Sequence, residues 1–237
     1  MTNSNNTGFY VSSNRINKAK KIIKVLEEEV KSNLKYYSIL DIGCGNGEIA
    51  TYLSRKCANL VSIDIEDNRE NEANKKPLNF LLSNESLPFK NNSFDIVVSN
   101  HVIEHVSNNQ EHIEEIYRVL NDDGIVYIAT PNRLWPWEVH YKLPLLHYLP
   151  TKTFMSILKH TNLYHENLNL LFWWDLKKLI KSRFKIKTYC DKILKNPENY
   201  YLKTNTFIRF FLNIIPLKLY TLTLFFNPTF IAVLRKK

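Results

Sequence analysis

The chain has 237 residues, of which 44% are hydrophobic and 13% aromatic, and its net charge is +9. These are the values of a globular protein, and the length suffices for one domain with a full core. The cysteines are widely separated and odd in number (Cys44, Cys57 and Cys190), so the sequence indicates neither a disulfide framework nor a zinc site. A reducing cytoplasm fits this cysteine usage.

Residues 1–14 are polar, rich in Asn and Ser, and contain no apolar core. We therefore expect neither a signal peptide nor a membrane anchor in this stretch, and we predict a partly disordered tail. The domain that follows is expected to cover residues 15–237.

Positive charge is concentrated near the C-terminus. Residues 176–237, the basic C-terminal region, contain 14 Lys and Arg against 2 Asp and Glu, a net charge of +12, whereas the first 175 residues carry −3. Such a field favours an anionic partner, either a membrane surface, a nucleic acid or a phosphorylated substrate. A solvated surface in a chain rich in Lys and Asn is the simpler alternative.

The first elements form a β-α-β pattern after a leading helix. Apolar residues at helical spacing predict that helix at 16–34, and an apolar run predicts a buried strand at 36–42. Glycines on alternate positions then mark a sharp turn. A helix at 48–56 and a second buried strand at 59–65 follow.

The sharp turn contains Gly43, Gly45 and Gly47. Glycine can take positive φ and lets the backbone approach a bound molecule closely, although plain tight turns use glycine too. A dinucleotide fingerprint would need glycine at position 48, where Glu48 stands, and a P-loop would need Gly-Lys-Ser/Thr, which is absent. Asp64 ends the second strand, where a carboxylate can accept hydrogen bonds from both ribose hydroxyls, or can serve as a turn residue.

Three more strands are predicted between residues 78 and 130. They cover residues 78–83, 94–100 and 125–130, and an amphipathic helix is predicted at 109–121 between the last two. The Asn-Asp-Asp-Gly stretch at 121–124 is expected to end that helix in a turn.

Residues 131–174, called the insertion below, are rich in aromatic residues, proline and histidine. A segment of this length tends to be a lid or a binding loop, and a stabilising aromatic cluster is the alternative. A basic helix at 175–184 and a strand at 184–190 are predicted next.

An amphipathic segment at 204–227 and a closing strand at 228–234 complete the chain. Arg209 and Lys218 interrupt the apolar run, so the segment is too short to span a membrane. It is expected either to pack on the core as a helix or to touch a bilayer at the interface.

Three blocks of the sequence resemble class I S-adenosylmethionine-dependent methyltransferases, with domains of type 11 or 23. The blocks are DIGCGNGEIA, LPF followed by SFDIVVSNHVIEHV, and RVLNDDGIVYIATPN. The resemblance implies a doubly wound α/β fold with a mostly parallel seven-stranded sheet, the last strand antiparallel. It further implies a single domain with an insertion after strand 5, and S-adenosyl-L-methionine as cofactor.

The same resemblance implies the roles of the cofactor site. Asp41 would orient the methionine amino group, the glycines would pack against methionine and ribose, and Asp64 would hold the ribose hydroxyls. Many members bind the adenine amino group with an Asp where Ser83 stands here, so Ser83, Asn84 or Glu85 must supply that contact. The full implied set is Asp41, Gly43, Cys44, Gly45, Gly47, Asp64, Ile65, Ser83, Asn84, Glu85 and Asn100.

A hydroxyl acceptor would need a general base, and three histidines are candidates. His101 and His105 follow the fourth strand, His140 lies in the insertion, and each is otherwise a structural histidine. We expect no metal site, because HVIEH lacks the spacing of H-E-x-x-H.

The sequence therefore predicts a methyltransferase acting on a small molecule, with O-methylation as the leading reaction. The aromatic insertion and the basic C-terminal region favour a glycosylated or lipid-linked acceptor, with peripheral contact to a membrane. An RNA methyltransferase and a non-catalytic S-adenosylmethionine-binding subunit are the alternatives. No RNA-binding module accompanies the domain, and Ser99-Asn100-His101-Val102 is not the motif of base amino methylation.

Overall fold

The computed structural model describes residues 6–69, 79–83, 86–138, 140–164, 166–202 and 227–237. Within them a seven-stranded sheet has the order β3-β2-β1-β4-β5-β9-β8. Its strands are β1 (Ser38–Ile42), β2 (Asn59–Asp64), β3 (Asn79–Leu82), β4 (Phe94–Asn100), β5 (Leu120–Pro131), β8 (Phe184–Thr188) and β9 (Thr229–Lys236). A separate hairpin consists of β6 (Trp137–Glu138) and β7 (Leu143–Pro144).

The first five strands of the sheet are parallel, and β9 runs antiparallel to both of its neighbours. This confirms the predicted doubly wound, mostly parallel α/β fold. Strand order reverses beside β1, whose neighbours are β2 and β4. The carboxyl ends of these three strands therefore border the crevice in which such sheets bind ligands.

The two faces of the sheet are covered by different helices. The helices are α1 (Asn6–Val30), α2 (Glu48–Ser54), α3 (Asn109–Val119), α4 (Thr151–His160), α5 (Trp173–Ile180) and α6 (Cys190–Lys195). Apolar residues of α1, α2 and α6 pack on one face, and those of α3 and α5 pack on the other. Neighbouring strand residues such as Ile39 and Leu40 alternate between the two cores, as the pleat requires.

Two predicted boundaries were wrong. Helix α1 begins at Asn6, so most of the tail predicted at 1–14 is helical. Its polar composition does not oppose this, because a helix that is already nucleated gains one backbone hydrogen bond per added residue. The turn predicted at 121–124 is instead part of β5, where the register shifts between Phe94 and Ile96 of β4. Asn121 Nδ2 donates to Asp95 Oδ1 at 2.7 Å and holds that bulge against β4.

The insertion has a small core of its own. It contains the β6–β7 hairpin, a short 3-10 helix at Leu146–Tyr148, and α4. Phe154, Met155 and Leu158 of α4 pack with Leu168 and Leu170, and Tyr141 lies against the same cluster. The insertion is thus a folded unit attached at the carboxyl end of β5.

Two sequence expectations fall outside the residues that the structure describes. These are the adenine-contact candidates Asn84 and Glu85 and nearly all of the amphipathic segment at 204–227. Among the described helices, none has both the length and the apolar character needed to cross a bilayer.

Tyr127 offers a test of packing in the sheet. Its side chain is fully buried between β4 and β9, and its Oη has no hydrogen-bond partner. Because an unpaired buried hydroxyl costs roughly 1–3 kcal/mol, we expect Tyr127→Phe to raise the free energy of unfolding by about 1 kcal/mol. Tyr127→Ala should lower it by roughly 3–5 kcal/mol. Urea denaturation of the three proteins measures both effects, and a less stable Tyr127→Phe would contradict this account.

Candidate functional site

One side of the glycine turn packs against the loop after β4, and its other side faces open space. Gly43, Gly45 and Gly47 have φ of 70°, 54° and 75°, which side chains rarely tolerate. A Cβ on Gly43 would lie 2.5 Å from Val102 Cγ2, so this turn touches the residue that follows His101. A Cβ on Gly45 would meet no protein atom within 4 Å. The turn is therefore closed on one side and accessible to a ligand on the other.

Asp64 is fixed beside this turn by backbone hydrogen bonds. Its Oδ2 accepts from Gly45 N at 2.7 Å, and its Oδ1 accepts from Ile65 N at 2.8 Å. A carboxylate offers about four lone-pair directions, so two remain for further donors. This is the geometry required of a group that holds two vicinal hydroxyls.

The other predicted cofactor-site residues lie in the glycine turn and at the carboxyl ends of β2, β3 and β4. Ile65 is 74% exposed, so an apolar side chain stands next to the carboxylate and could cover an adenine ring. Ser83 N donates to Asp64 O, and Ser83 Oγ donates to Ser86 O. Cys44 is buried, and burial with the neighbouring carboxylates raises the pKa of its thiol to about 12, so it stays protonated. Asn100 pairs with Ala129 at the carboxyl end of β4.

Asp41 is buried under the turn with an unsatisfied oxygen. It lies in β1 between Ser62 and Val98, is 3% exposed, and its Oδ2 has no hydrogen-bond partner. Burial, and then repulsion by Asp64, raise the pKa of Asp41 to about 7. An ammonium group bound nearby would satisfy this oxygen. The open space at Gly45, the fixed Asp64 and the unsatisfied Asp41 fit the methionine, ribose and amino groups of S-adenosylmethionine.

The loop after β4 positions a buried carboxylate under His101. His101 has a φ of 60°, and its N–H continues the sheet by donating to Ala129 O at 2.8 Å. Its Nδ1 lies 3.2 Å from Glu104 Oε1. Glu104 is fully buried, and its Oε2 accepts from Thr130 Oγ1 at 2.9 Å. Glu104 thus ties the loop to the carboxyl end of β5.

His105 and His140 face the same carboxylate from two sides. Their ring centroids are 5.2 Å apart, and His140 Nε2 lies 4.0 Å from Glu104 Oε1. His140 Nδ1 is 2.8 Å from Glu138 Oε1, and His105 Nδ1 is 3.3 Å from Glu166 Oε2. Glu138 also accepts the backbone N–H groups of His140 and Tyr141, which fixes the connection between β6 and β7.

The structure thus brings together three histidines that the sequence could only propose one by one. Sequence reasoning gave no role to Glu104, Glu138 or Glu166. HVIEH did place an acid between His101 and His105, but the contribution of the insertion depends on its fold. The expectation of no metal site stays a prediction, but it considered only the spacing within HVIEH. Potential ligand atoms of Glu104, His105 and His140 lie within 4.8 Å of one another, because the insertion supplies the third residue.

The surroundings of His101 and His140 shift the pKa values of these two side chains in opposite directions. Burial lowers the pKa of His101, and the positive field of Lys18 adds to this, although Glu104 opposes it. Burial also disfavours charge on His140, but Glu138 and Glu104 outweigh it and raise its pKa. At neutral pH His101 is therefore the neutral imidazole, which can accept a proton.

Asp41→Asn should affect stability and cofactor binding in opposite directions. The folded protein holds the Asp41 proton up to about pH 7, whereas an unfolded Asp loses it near its model value of 3.8, so wild-type stability falls as the pH rises across that window. At pH 8 we expect the variant to be more stable by roughly 1–3 kcal/mol in chemical denaturation. The difference should shrink as the pH falls through that window and should vanish below about pH 3.8.

The same variant should bind S-adenosylmethionine at least tenfold more weakly at pH 8, because the ammonium group loses its carboxylate. Wild-type affinity should increase from pH 6 to pH 8 and that of Asp41→Asn should not. Calorimetric titration at both pH values measures this. Equal affinities for the two proteins at pH 8 would contradict the role of Asp41.

Comparison with known proteins agrees with this architecture. Residues 40–128 match the family model described as a methyltransferase domain. The ubiquinone biosynthesis O-methyltransferase of Rickettsia canadensis is 34% identical over 109 residues, which cover 44% of this chain and 46% of that protein. A human relative named arginine-hydroxylase NDUFAF5, mitochondrial, is 34% identical over 113 residues, covering 42% of this chain and 33% of its own.

A solved structure of an S-adenosylmethionine-dependent methyltransferase from Thermotoga maritima covers 98% of this chain and 94% of its own. Its TM-score is 0.57 at 16% identity, which supports the fold. The chain spans about half the length, or less, of the curated relatives it matches. The match at residues 40–128 and the strand order together support a class I S-adenosylmethionine-dependent methyltransferase.

Proposed function

We propose that this protein transfers the methyl group of S-adenosylmethionine to a hydroxyl oxygen of a small molecule. One observation carries the proposal. The glycine turn touches Val102, so the cofactor crevice lies next to His101, a neutral imidazole backed by a buried carboxylate. Methylation of a hydroxyl needs a bound methyl donor and a general base beside it. A more acidic or more nucleophilic acceptor needs no base.

The cofactor would be held mainly by backbone and carboxylates. Asp41 pairs with the methionine ammonium group, Gly45 and Gly47 border the methionine and ribose, and Asp64 accepts from the ribose hydroxyls through its two remaining lone pairs. Ile65 covers the adenine and Ser83 borders its amino group, while Asn84 and Glu85 stay candidates for that contact from the sequence alone. Cys44 and Asn100 complete the wall of the crevice.

S-adenosylmethionine would supply an electrophilic methyl group, whose bond to sulfur breaks as the acceptor attacks in line, leaving the demethylated thioether product. The chain then has to position the acceptor oxygen and remove its proton. His101 Nε2 takes the hydroxyl proton, while Nδ1 faces Glu104 Oε1, which stabilises the imidazolium formed. His105 and His140 have carboxylates of the same kind at Nδ1, so the contact between Gly43 and Val102, the residue that follows His101, is what favours His101 for this step.

The acceptor is proposed to be lipophilic, either lipid-linked or glycosylated. Large apolar side chains of the insertion and its borders are exposed, among them Trp137 at 50%, Leu145 at 55% and Trp174 at 50%. Exposed aromatic groups of this kind suit an apolar ligand or a membrane interface. The name of the Rickettsia relative, a ubiquinone biosynthesis O-methyltransferase, supports an O-methylated acceptor in a lipid pathway. The basic C-terminal region supports contact with an anionic membrane.

Cofactor binding is tested with Asp64→Ala. We expect wild-type protein to bind S-adenosylmethionine and its demethylated product in calorimetry, and the variant to lose at least tenfold in affinity for both. Asp122→Ala is the matched control, because Asp122 is an exposed acid at the other end of β5 that pairs with Lys236. Wild-type affinity retained in Asp64→Ala would contradict the ribose role, and failure of the wild-type to bind either compound would remove the whole proposal.

The role of His101 is tested with His101→Gln. With hydroxylated lipophilic acceptors, we expect kcat to fall roughly 10²–10⁴-fold while the affinity for S-adenosylmethionine stays unchanged. His160→Gln is the control, since His160 is exposed at the end of α4 and bonded to Ser156 O. The acid limb of the wild-type pH profile should lie below pH 6.5, in line with the lowered pKa of His101. An unchanged kcat in His101→Gln would rule out this base.

The same assays separate the alternatives. Cofactor binding without turnover on any hydroxylated acceptor, but with salt-sensitive RNA methylation, would favour an RNA methyltransferase. Binding without turnover on either class would favour a non-catalytic subunit. Co-sedimentation with anionic liposomes at low salt tests the membrane contact, and no binding there would remove that part.

A further inference from the structure

We propose that Glu104, His105 and His140 bind a divalent transition-metal ion between the sheet edge and the insertion. Binding of the ion is independent of the proposed methyl transfer. Its use, to bind the acceptor oxygen beside His101, rests on that proposed function. Two ligands come from the loop after β4 and one from the β6–β7 connection.

The three side chains are close enough for a shared ion. Their potential ligand atoms lie within 4.8 Å of one another, and His140 Nε2 is 4.0 Å from Glu104 Oε1. Bonds of about 2.0–2.2 Å to such ligands place the ligand atoms roughly 3–3.5 Å apart. The side chains would therefore have to close by about 1 Å, which small rotations of the side chains allow.

Each proposed ligand has a hydrogen-bonding partner of the kind that metal ligands usually have. A histidine that binds metal through one nitrogen commonly donates the other N–H to a carboxylate. His140 Nδ1 is 2.8 Å from Glu138 Oε1, and His105 Nδ1 is 3.3 Å from Glu166 Oε2. This arrangement leaves both Nε2 atoms as the unprotonated donors. Glu104 is backed in turn, because Thr130 Oγ1 donates to its Oε2 at 2.9 Å.

The burial of the Glu104 carboxylate is a second, independent reason to expect a bound cation. Glu104 is fully buried, and its Oε1 makes no hydrogen bond, although His101 Nδ1 lies 3.2 Å away. A buried charged oxygen without a hydrogen bond is costly, and a metal ion would satisfy it. A protonated His140 is the alternative cation, and the experiment below separates the two.

The ligand set indicates the class of ion. Imidazole suits zinc, iron, cobalt and nickel, whereas magnesium and calcium prefer sites built from oxygen alone. Two histidines and one glutamate are also the ligands of catalytic zinc sites that keep a position open. An ion in this place would bind the acceptor hydroxyl oxygen, lower its pKa, and leave its proton for His101.

The primary test is binding of Zn²⁺ or Co²⁺ to untagged, chelator-treated full-length protein. We expect one ion per chain by equilibrium dialysis and elemental analysis, with at least tenfold weaker binding of Mg²⁺. His105→Gln and His140→Gln should each lose the ion, and His160→Gln should keep it. Glu138→Gln, which changes only the group behind His140, should weaken binding about 10–100-fold.

A second readout guards against variants that misfold. Because the ion links the insertion to the sheet edge, Zn²⁺ should raise the melting temperature of wild-type protein and of His160→Gln, but not of His140→Gln. All proteins should bind S-adenosylmethionine with the same affinity, which shows that they are folded. Absorption bands of bound Co²⁺ should report nitrogen and oxygen ligands and should be lost in His140→Gln.

Two outcomes would overturn the proposal. One is wild-type protein that takes up no stoichiometric Zn²⁺ or Co²⁺, which would leave a protonated His140 between the two carboxylates. The other is uptake that survives both histidine variants, which would place the ion elsewhere. Metal binding without methyl transfer would leave the ion site standing and refute the proposed function. Methyl transfer by chelator-treated protein at an unchanged rate would refute the role at the acceptor.

Discussion

The close approach of Gly43 to Val102 is the constraint on which the site depends. A Cβ at Gly43 would lie 2.5 Å from Val102 Cγ2, so the first strand can end this close to the loop after β4 only if it carries no side chain there. Parallel pairing of β1 with β2 and β4 brings three carboxyl ends to one edge. The contact then places the cofactor crevice and the histidine cluster side by side. Under the proposed function, a wider gap would separate the methyl donor from His101.

Two buried carboxylates flank that contact, and the protein treats them differently. Asp41 has an unsatisfied oxygen and a pKa raised to about 7, so the folded chain holds its proton up to about that pH, and a bound cation would favour the ionised form. Burial also pushes the pKa of Glu104 upward, but His101 outweighs this and holds it below its usual value. Asp41 is therefore organised for a cationic group of a ligand, and Glu104 for cations that the protein itself assembles around it. Around Glu104 the protein supplies the cationic groups itself, whereas next to Asp41 a bound ligand would supply the positive charge.

The sequence predicted the fold and the cofactor, whereas it proposed only some of the groups that gather around Glu104. Local signals underlie the cofactor prediction, since alternate glycines after an apolar run and an acid after the next strand lie within one β-α-β unit. The seven strands were predicted for the same reason, because buried strands read as short apolar runs. Glu138 and Glu166 carry no such signal. Their positions depend on how the insertion folds on its own core, through packing of Phe154 with Leu168 and of Tyr141 with the same cluster. The start of α1 was missed because polarity was taken for disorder.

The insertion is linked to the loop after β4 by polar contacts. Its core is small and separate from the two cores of the sheet, yet Asn169 N donates to Glu104 O at 2.7 Å, and His140 and Glu166 reach the loop after β4. A small core alone contributes little stability, so the polar contacts with this loop carry a large share of what holds the insertion in place. Under the proposed function the acceptor binds beside His101, next to these contacts. The insertion, and not the glycine turn, would then be the part of the chain that selects what is methylated.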